Sequence, residues 1–184
     1  MGFPLESLIE RLASFSGVPG RMELVPSELP IQVFVDYAHS PDPIAKVLQT
    51  LRGLTPGQLH IVFGCGGNRD RLKRPMMLSA ALKYADYAWV TSDNPRQEAQ
   101  SQIFEDMRRD VPQADTATFI EDRREAIGRA IAALQPGDTL IIAGKGHEAF
   151  QEFADRTVSF SDRVVAHECL AQKHFQPQAQ EPHV

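Results

Sequence analysis

The sequence predicts an α/β fold in which a mostly parallel β-sheet is covered by helices on both faces. Strand-like apolar segments alternate with amphipathic helical segments five times, and the apolar segments are nearly unbroken. Strands that are buried on both faces carry such continuous apolar runs. The alternation predicts right-handed crossovers between parallel strands. With 184 residues and 42% hydrophobic residues, the chain is long enough for one domain with a real core and short for two.

Five segments are rich in β-branched and aromatic residues, as buried strands are. They are IQVFVDYA (31–38), HIVFGCG (60–66), YAWVTSD (87–93), TATFIED (116–122) and DTLIIAGKG (138–146). Four helical stripes, with apolar residues three or four positions apart, lie at 44–51, 78–85, 103–107 and 126–134. Together these elements predict a Rossmann-like arrangement.

The two ends of the chain differ from this central pattern. A helical stripe in residues 2–15 stops at SGVPGR, where Pro19 and Gly20 break it. RTVSFSD (156–162) alternates polar and apolar residues before a helix at about 162–172, which predicts a short antiparallel edge strand. The polar tail, residues 175–184, is expected to be disordered, and the main domain is expected over residues 21–174.

Charge and composition exclude several classes of protein. The net charge of −5 does not favour a nucleic-acid-binding surface, and no run of 18 apolar residues predicts a membrane span. The N-terminal segment does not have the pattern of a secretory signal, so we expect a cytoplasmic protein. Cys65 and Cys169 have no Cys-x-x-Cys spacing and are expected to be reduced thiols, with Cys65 inert in the core.

Charged residues collect where the predicted strands end, and ligands of open α/β sheets bind there. Cations, acids and an amide follow these strands: Arg69, Arg96, Lys145, Asp93, Asn94 and Glu148. Guanidinium groups bind carboxylates, and acids accept hydrogen bonds from ammonium groups, so this mixture favours a zwitterion such as an amino acid. The turn Asp93-Asn94-Pro95-Arg96 carries an acid and a guanidinium that turn formation alone does not require.

Simpler readings of two motifs stay open. Ser40 and Pro41 have the residue types of an ordinary helix start. The cations Arg69, Arg71, Lys73 and Arg74 follow a glycine-rich turn, and they fit either a solvated helix face or an anion-binding helix start. GCGGNR lacks the third glycine of a dinucleotide fingerprint, which argues against a nicotinamide enzyme, and the sequence contains no Gly-x-x-x-x-Gly-Lys-Ser/Thr.

Six motifs occur in an order and spacing that resemble the C-terminal domain of the Mur ligases. They are GRME (20–23), VDYAHSPD (35–42), FGCGGNRDRLKRP (63–75), TSDNPRQE (91–98), AGKGHE (143–148) and SDR (161–163). The resemblance runs from about residue 5 to residue 172. In this family the Asp-Asn-Pro-Arg sequence marks enzymes that add meso-diaminopimelate. The resemblance therefore implies an ATP-dependent amide ligase that adds meso-diaminopimelate to UDP-N-acetylmuramoyl-L-alanyl-D-glutamate in peptidoglycan synthesis.

The resemblance also implies roles for individual residues. Those matching diaminopimelate-binding positions are Arg69, Asp93, Asn94, Pro95, Arg96, Gly144 and Glu148. Those matching nucleotide-binding positions are Arg21, which reaches the ATP phosphates, and Asp36 and His39, near the ribose and the metal-bound phosphates. Lys145 and His147 are given supporting roles. No residue is assigned as catalytic or as a metal ligand, and the base that deprotonates the attacking amine is not named.

In the family, ATP and Mg²⁺ are bound mostly by a central domain that carries the P-loop. Residues 1–20 resemble the last helix and linker of that domain. The expectation is a monomer that folds by itself but neither hydrolyses ATP nor ligates. The alternative is a stand-alone amino-acid-binding module without catalysis, against which the motifs GRME and DYAHSPD argue, because such a module would not need nucleotide contacts.

Overall fold

A six-stranded sheet forms the centre of the computed structural model, which describes residue 9 and residues 17–175. The strands are β1 (Glu23–Leu24), β2 (Gln32–Asp36), β3 (Leu59–Cys65), β4 (Tyr87–Ser92), β5 (Thr118–Phe119) and β6 (Thr139–Ala143). They lie in the order β1-β2-β6-β3-β4-β5, and all neighbours pair in parallel except β1, which is antiparallel to β2. The predicted α/β class with a short antiparallel edge strand is confirmed.

The antiparallel edge strand is not formed by the residues that the sequence indicated. Strand β8 (Thr157–Ser159), within RTVSFSD, pairs antiparallel with β7 (Phe150–Glu152) in a separate two-stranded sheet. The edge strand of the main sheet is β1, which has only two residues. Two residues are too few to show a hydrophobic period, so periodicity could not predict this strand.

Helices cover both faces of the sheet. They are α1 (Pro41–Arg52), α2 (Lys73–Tyr84), α3 (Gln100–Arg108), α4 (Arg123–Ala133) and α5 (Asp162–Gln172), with a short 3-10 helix at Ala114–Thr116. Helices α1, α2 and α3 pack on one face and α4 and α5 on the other, so two hydrophobic clusters sandwich the sheet. Successive residues of β6 pack into different clusters: Ile141 lies in the cluster beneath α1, α2 and α3, and Ile142 lies in the cluster beneath α4 and α5. This explains why the strand is apolar at every position.

Apart from residue 9, the helix predicted in residues 2–15 lies outside the described residues, and so does the tail beyond residue 175. None of the described helices is both long and apolar enough to cross a bilayer. Strands β2, β3, β4 and β6 point the same way, so their carboxyl ends meet at one edge of the sheet. The charged segments that follow these strands are therefore brought together by the parallel topology.

Candidate functional site

A cavity of about 440 Å³ opens at the carboxyl ends of these strands. Six of the seven predicted substrate-binding residues line it: Arg69, Asp93, Asn94, Arg96, Gly144 and Glu148. Pro95 lines a neighbouring cavity of about 620 Å³ that also includes Arg96. Sequence reasoning did not single out Tyr37 as a cavity residue, although Tyr37 lies between two predicted nucleotide-binding residues. The topology thus unites most of the predicted residues in one concave space.

A cavity of similar volume lies at the opposite end of the sheet, near the start of β2 and β6. Asp138 is its one charged lining residue. The carboxylate of Asp138 already accepts hydrogen bonds of 2.7 Å from the backbone N–H groups of Gln58 and Gln135. This second cavity therefore offers a zwitterion no matched pair of charges, unlike the cavity at the carboxyl ends.

The turn 93–96 is clamped by strand β7. Arg96 donates its backbone N–H to the Glu152 carbonyl at 3.1 Å, and Glu152 donates its own N–H to Asn94 Oδ1 at 3.0 Å. Gln151 Nε2 donates to the Asp93 carbonyl at 2.9 Å. Arg96 has a positive φ of 52°, a conformation that non-glycine residues rarely adopt. These bonds supply the support that such a backbone needs, and sequence reasoning missed the strand that provides them.

Two arginines form one wall of the cavity. Arg96 Nε donates to Glu152 Oε2 and Nη1 donates to the Gly67 carbonyl, both at 2.9 Å. Nη2 of Arg96 has no hydrogen-bond partner among the described residues. A Cβ placed on Gly66 would lie 3.1 Å from Arg96 Nη1 and 3.5 Å from Arg69 Cγ, so both side chains border the same glycine. The Arg69 guanidinium forms no ion pair within the described part of the chain.

Asp93 provides a buried carboxylate on another part of the cavity wall. Burial raises its pKa, and the positive charges of Arg123 and Lys145 oppose that rise. A Cβ on Gly144 would lie 2.8 Å from Asp93 Oδ2, and Gly144 has a φ of 115°, so only glycine fits there. No described residue donates a hydrogen bond to the Asp93 carboxylate, which therefore keeps its acceptor capacity for a ligand.

Glu148 and Asn94 are held together by the buried lysine between them. Lys145 Nζ lies 2.9 Å from Asn94 Oδ1 and 3.1 Å from Glu148 Oε2, and Asn94 Nδ2 lies 3.2 Å from the same Glu148 oxygen. Asn94 Oδ1 also accepts the N–H of Glu152. Because both lone pairs of that oxygen are used, Asn94 supports its neighbours, and Asp93 and Glu148 supply the anionic oxygens on the cavity.

The predicted nucleotide-binding residues lie beside the cavity, and of the three only His39 lines it. The buried Asp36 carboxylate accepts the backbone N–H groups of Met22 and Ala38, each at 2.8 Å, so it fixes the turn that carries Arg21. The Arg21 guanidinium lies 4.8 Å from the centre of the Tyr37 ring. Tyr37 lines the cavity, and thus connects Arg21 to it.

The GRME turn packs directly on the AGKGHE loop. A Cβ on Gly20, which has a φ of 69°, would lie 2.1 Å from the backbone nitrogen of His147. The His147 ring lies 5.9 Å from the Tyr37 ring, whose other neighbour is His39 at 4.7 Å. Two motifs far apart in the sequence therefore build one aromatic and cationic patch at the edge of the cavity.

The cationic cluster that follows β3 was predicted to be either a solvated helix face or an anion-binding helix start, and for Arg74 both predictions are wrong. Its side chain is 1% exposed, and Nη1 donates to Asp106 Oδ2 at 2.7 Å and to Glu98 Oε2 at 2.8 Å. Arg71 donates two further hydrogen bonds to Asp106 and holds the pKa of that carboxyl at about 2. Arg74 therefore belongs to a buried ion cluster, which the sequence could not show because its acids are 24 and 32 residues away.

Arg123 is a structural residue of the site that sequence reasoning missed. It is fully buried, and its guanidinium donates to the Ser92 carbonyl at 3.1 Å and the Ala143 carbonyl at 3.0 Å. These carbonyls end β4 and β6, and the same guanidinium is paired with Asp162 at the start of α5. The only available signal was the arginine in EDRREA together with the acid in SDR. Arg123 ties together the strand ends that carry Asp93 and Gly144.

Cys65 lies at the end of β3 and is 4% exposed. Burial raises the pKa of its thiol to about 12, so the thiolate that reacts with electrophiles is not formed near neutral pH. The predicted core position of Cys65 is confirmed, because its side chain belongs to one of the two hydrophobic clusters. Among the residues that the structure describes, no group of three His, Cys, Asp or Glu side chains comes close enough together to hold a metal ion.

The chain is similar to a known protein family and to several curated proteins. The family described as "Mur ligase, glutamate ligase domain" matches residues 20–146. The chain is 44% identical over 172 residues to the UDP-N-acetylmuramoyl-L-alanyl-D-glutamate–2,6-diaminopimelate ligase of Halalkalibacterium halodurans, which covers 94% of this chain and 35% of that protein. It is 48% identical over 180 residues to the protein of the same name from Thermosynechococcus vestitus, covering 96% of this chain and 36% of that protein.

A solved structure of a ligase with this name aligns with a TM-score of 0.81 and 43% identity, over 95% of this chain and 36% of that chain. The UDP-N-acetylmuramate-alanine ligase of Thermotoga maritima, 20% identical with a TM-score of 0.58, has the same fold. The chain spans about a third of the length of the curated relatives it matches. On the match of residues 20–146 and on these identities, the chain belongs to the Mur ligase family.

Proposed function

We propose that this chain is the amino-acid-binding domain of an ATP-dependent ligase that adds meso-diaminopimelate to UDP-N-acetylmuramoyl-L-alanyl-D-glutamate. The names of the relatives support this proposal, since they match more than nine-tenths of the chain. The observation that carries it is the charge arrangement of one cavity, which is lined by Arg69 and Arg96 and by Asp93 and Glu148. We place the reaction in the cytoplasm and expect the protein to be a monomer.

Diaminopimelate differs from lysine by a second carboxylate at its far end. In the proposed complex Arg69 and Arg96 bind that carboxylate, while Asp93 and Glu148 accept hydrogen bonds from the neighbouring ammonium group. Lysine would leave a charged donor without its partner, which costs about 1–3 kcal/mol or more. A site built around a polar substrate group rejects an analogue that lacks it by roughly 10⁴-fold in favourable cases.

The remaining predicted residues shape this site. Pro95 fixes the turn, so that Asp93 and Arg96 need not be ordered on binding. Gly144 leaves space for the Asp93 carboxylate, and Asn94 holds Glu148 in position. The binding energy of the amino acid is then available to orient its reactive amine toward the activated peptide carboxylate.

The nucleotide is proposed to lie on the patch formed by Arg21, Tyr37 and His39, with Arg21 on the phosphates. Asp36 acts through the backbone turn that it anchors. Mg²⁺ neutralises phosphate charge when it is bound, but the described residues of this chain do not assemble a metal site. ATP phosphorylates the peptide carboxylate in this family, and the amine of diaminopimelate then displaces the phosphate.

Calorimetry on the purified 184-residue chain tests the proposal. We expect meso-diaminopimelate to bind at least about 100-fold more tightly than L-lysine, because lysine leaves an arginine unpaired. Arg69→Met should weaken diaminopimelate binding and leave lysine binding unchanged. Arg129→Met, which removes an exposed cation of α4 that does not line the cavity, is the matched control. Equal affinity for the two amino acids in the wild-type chain would contradict the assignment.

Nucleotide binding separates the ligase domain from the alternative of a stand-alone amino-acid-binding module. A ligase domain should bind ATP weakly and lose this binding in Arg21→Met, whereas a module without catalysis needs no such site. The chain by itself is expected to release no phosphate from ATP in the presence of the nucleotide dipeptide and diaminopimelate, since its 184 residues contain no P-loop sequence. Phosphate release above background would refute this last expectation.

A further inference from the structure

Lys145 is a fully buried cation directly beneath the proposed ammonium-binding side of the cavity. Its side chain has 0% exposure, and its Nζ contacts Asn94 Oδ1 and Glu148 Oε2. The ring centre of Phe150 lies 5.6 Å from the same nitrogen. Burying an ammonium group is costly unless it is paired, and lysine is almost never fully buried otherwise. The function described so far does not use this charge.

Asp93 and the charged groups that act on it, Lys145 among them, come from four elements. Asp93 follows β4, Glu148 belongs to the loop after β6, Arg123 begins α4 and Asp162 begins α5. The Arg123 and Asp162 side chains bind each other through two hydrogen bonds of 2.7 Å, so their charges cancel locally. Of these groups, the carboxylates of Asp93 and Glu148 then remain beside one internal cation, Lys145, while Arg69 and Arg96 lie on the wall proposed to bind the ligand carboxylate. This set lacks one positive charge, which is the charge of one ligand ammonium group.

We propose that Lys145 is a positioning residue that acts as an internal counter-ion. It holds the Glu148 carboxylate and the Asn94 amide in place through direct contacts, and it supplies a positive charge beside the carboxyl groups of Asp93 and Glu148 before a ligand ammonium group arrives. The identity of the ligand rests on the proposed function, whereas the counter-ion role can be tested without any ligand.

A purely structural role for Lys145 would have different consequences. Lys145 also joins the loop 144–148 to the turn 93–96, so any substitution that breaks this link can lower stability. A structural link, however, does not control the ionisation of Asp93, whose carboxylate makes no hydrogen bond with Lys145 in the described structure. The titration of Asp93 therefore distinguishes the two roles.

The direction of the effect follows from the charges that Asp93 experiences. Burial raises the pKa of Asp93. The positive charges of Arg123 and Lys145 lower this pKa, whereas the negative charges of Glu148 and Asp162 raise it. The neighbouring Cys65 thiol, with its pKa of about 12, carries no charge near neutral pH. Removal of Lys145 must move the Asp93 pKa further upward. The neutral acid then persists to higher pH, and a neutral acid cannot balance a ligand ammonium charge.

The experiment compares the full 184-residue chain with Lys145→Met, Lys145→Gln and Gln151→Met. Gln151 donates to Ser92 Oγ and to the Asp93 carbonyl, so Gln151→Met disturbs the same turn without changing any charge. Lys145→Gln keeps a donor for Asn94 Oδ1 and serves if the methionine variant does not fold. The ¹³C chemical shift of the Asp93 carboxyl is followed against pH by NMR, and calorimetry measures meso-diaminopimelate binding across the same range.

The pH midpoint of the Asp93 titration is expected to rise in both Lys145 variants and to stay unchanged in Gln151→Met. Binding of meso-diaminopimelate at pH 7 should weaken about tenfold or more in the Lys145 variants, and recover at higher pH. The same Asp93 midpoint in the wild type and in a folded Lys145 variant would overturn the counter-ion role. If the wild-type chain did not bind diaminopimelate at all, the proposed function would fail, while the Asp93 midpoint would still decide the role of Lys145.

Discussion

Arg123 donates two hydrogen bonds of 2.7 Å to the Asp162 carboxylate, and neither side chain is exposed to solvent. The same guanidinium binds the carbonyl groups that end β4 and β6. The pair therefore joins two helix N-termini to the edge of the sheet at which the cavity opens. Its position predicts that the site depends on an ion pair that touches no ligand.

Replacing Arg123 with Met should destabilise the chain by about 3–5 kcal/mol, because Asp162 is left as an uncompensated buried charge. Urea denaturation measures this change. Arg124→Met is the control, since Arg124 pairs with Glu168 at the surface, where such pairs contribute about 0–1 kcal/mol. Similar losses in the two variants would show that the buried pair has no special role.

The cluster around Asp106 should make stability depend on acid pH. Hydrogen bonding from Arg71 holds the Asp106 pKa at about 2, below the value of about 3.9 in an unfolded chain. A depressed carboxyl pKa adds stability that is fully present above the unfolded value and disappears as the pH falls through the folded value. The contribution of Asp106 is therefore expected to be lost between about pH 4 and pH 2.

Asp106→Asn tests this pH dependence. At pH 7 the variant should be less stable by about 2–4 kcal/mol, since Arg74 loses a buried partner. The difference between wild type and variant in urea denaturation should shrink as the pH falls below about 4. Asp155→Asn, at an exposed pair of the β7–β8 hairpin, should show no such trend. A difference that stays constant down to pH 2 would argue against the role of Asp106.

Gly67→Ala should distort the turn that carries Arg96. A Cβ at Gly67 would lie 1.8 Å from the Pro95 carbonyl oxygen, so the backbone must shift. We expect weaker binding of meso-diaminopimelate together with a stability loss of about 1–3 kcal/mol. At Gly128, within α4, a Cβ meets only Cys169 Sγ at 3.7 Å, and Gly128→Ala should stabilise the chain by about 0.5–1 kcal/mol. Calorimetry and urea denaturation record both variants; full ligand affinity in Gly67→Ala would show that the turn tolerates displacement.

Arg96→Lys keeps the positive charge but removes the planar guanidinium group, which can donate hydrogen bonds from several nitrogens at once. Lysine cannot bind Glu152 and the Gly67 carbonyl at once and still offer a second nitrogen to a ligand carboxylate. Affinity for meso-diaminopimelate should fall about tenfold or more, as measured by calorimetry. Arg156→Lys, an exposed residue of the β7–β8 hairpin, should bind as the wild type does. Unchanged affinity in Arg96→Lys would remove the proposed role of Arg96.

The sequence predicted much of the fold because hydrophobic periodicity is a local property. The apolar runs that became β3 and β6 and the stripes that became α1 and α4 each bury their own face, so neighbouring residues reveal them. A strand pattern does not identify the partner of the strand: Thr157–Ser159 has such a pattern, but it pairs with Phe150–Glu152 in a separate hairpin and not with the main sheet. The edge strand Glu23–Leu24 is too short to carry a pattern at all.

The same division applies to the site. The sequence by itself determined the α/β class, the strand ends at which charges collect, and the turn Asp93–Arg96, because residue type and spacing carry that information. Only the tertiary structure decided which charged side chains pair with other groups of the protein and which remain available to a ligand. Arg74 and Lys145 are buried and paired with acids of the protein, whereas the Arg69 guanidinium lines the cavity and forms no ion pair among the described residues. Charge pairing depends on distances in space, and the order of residues along a chain does not fix those distances.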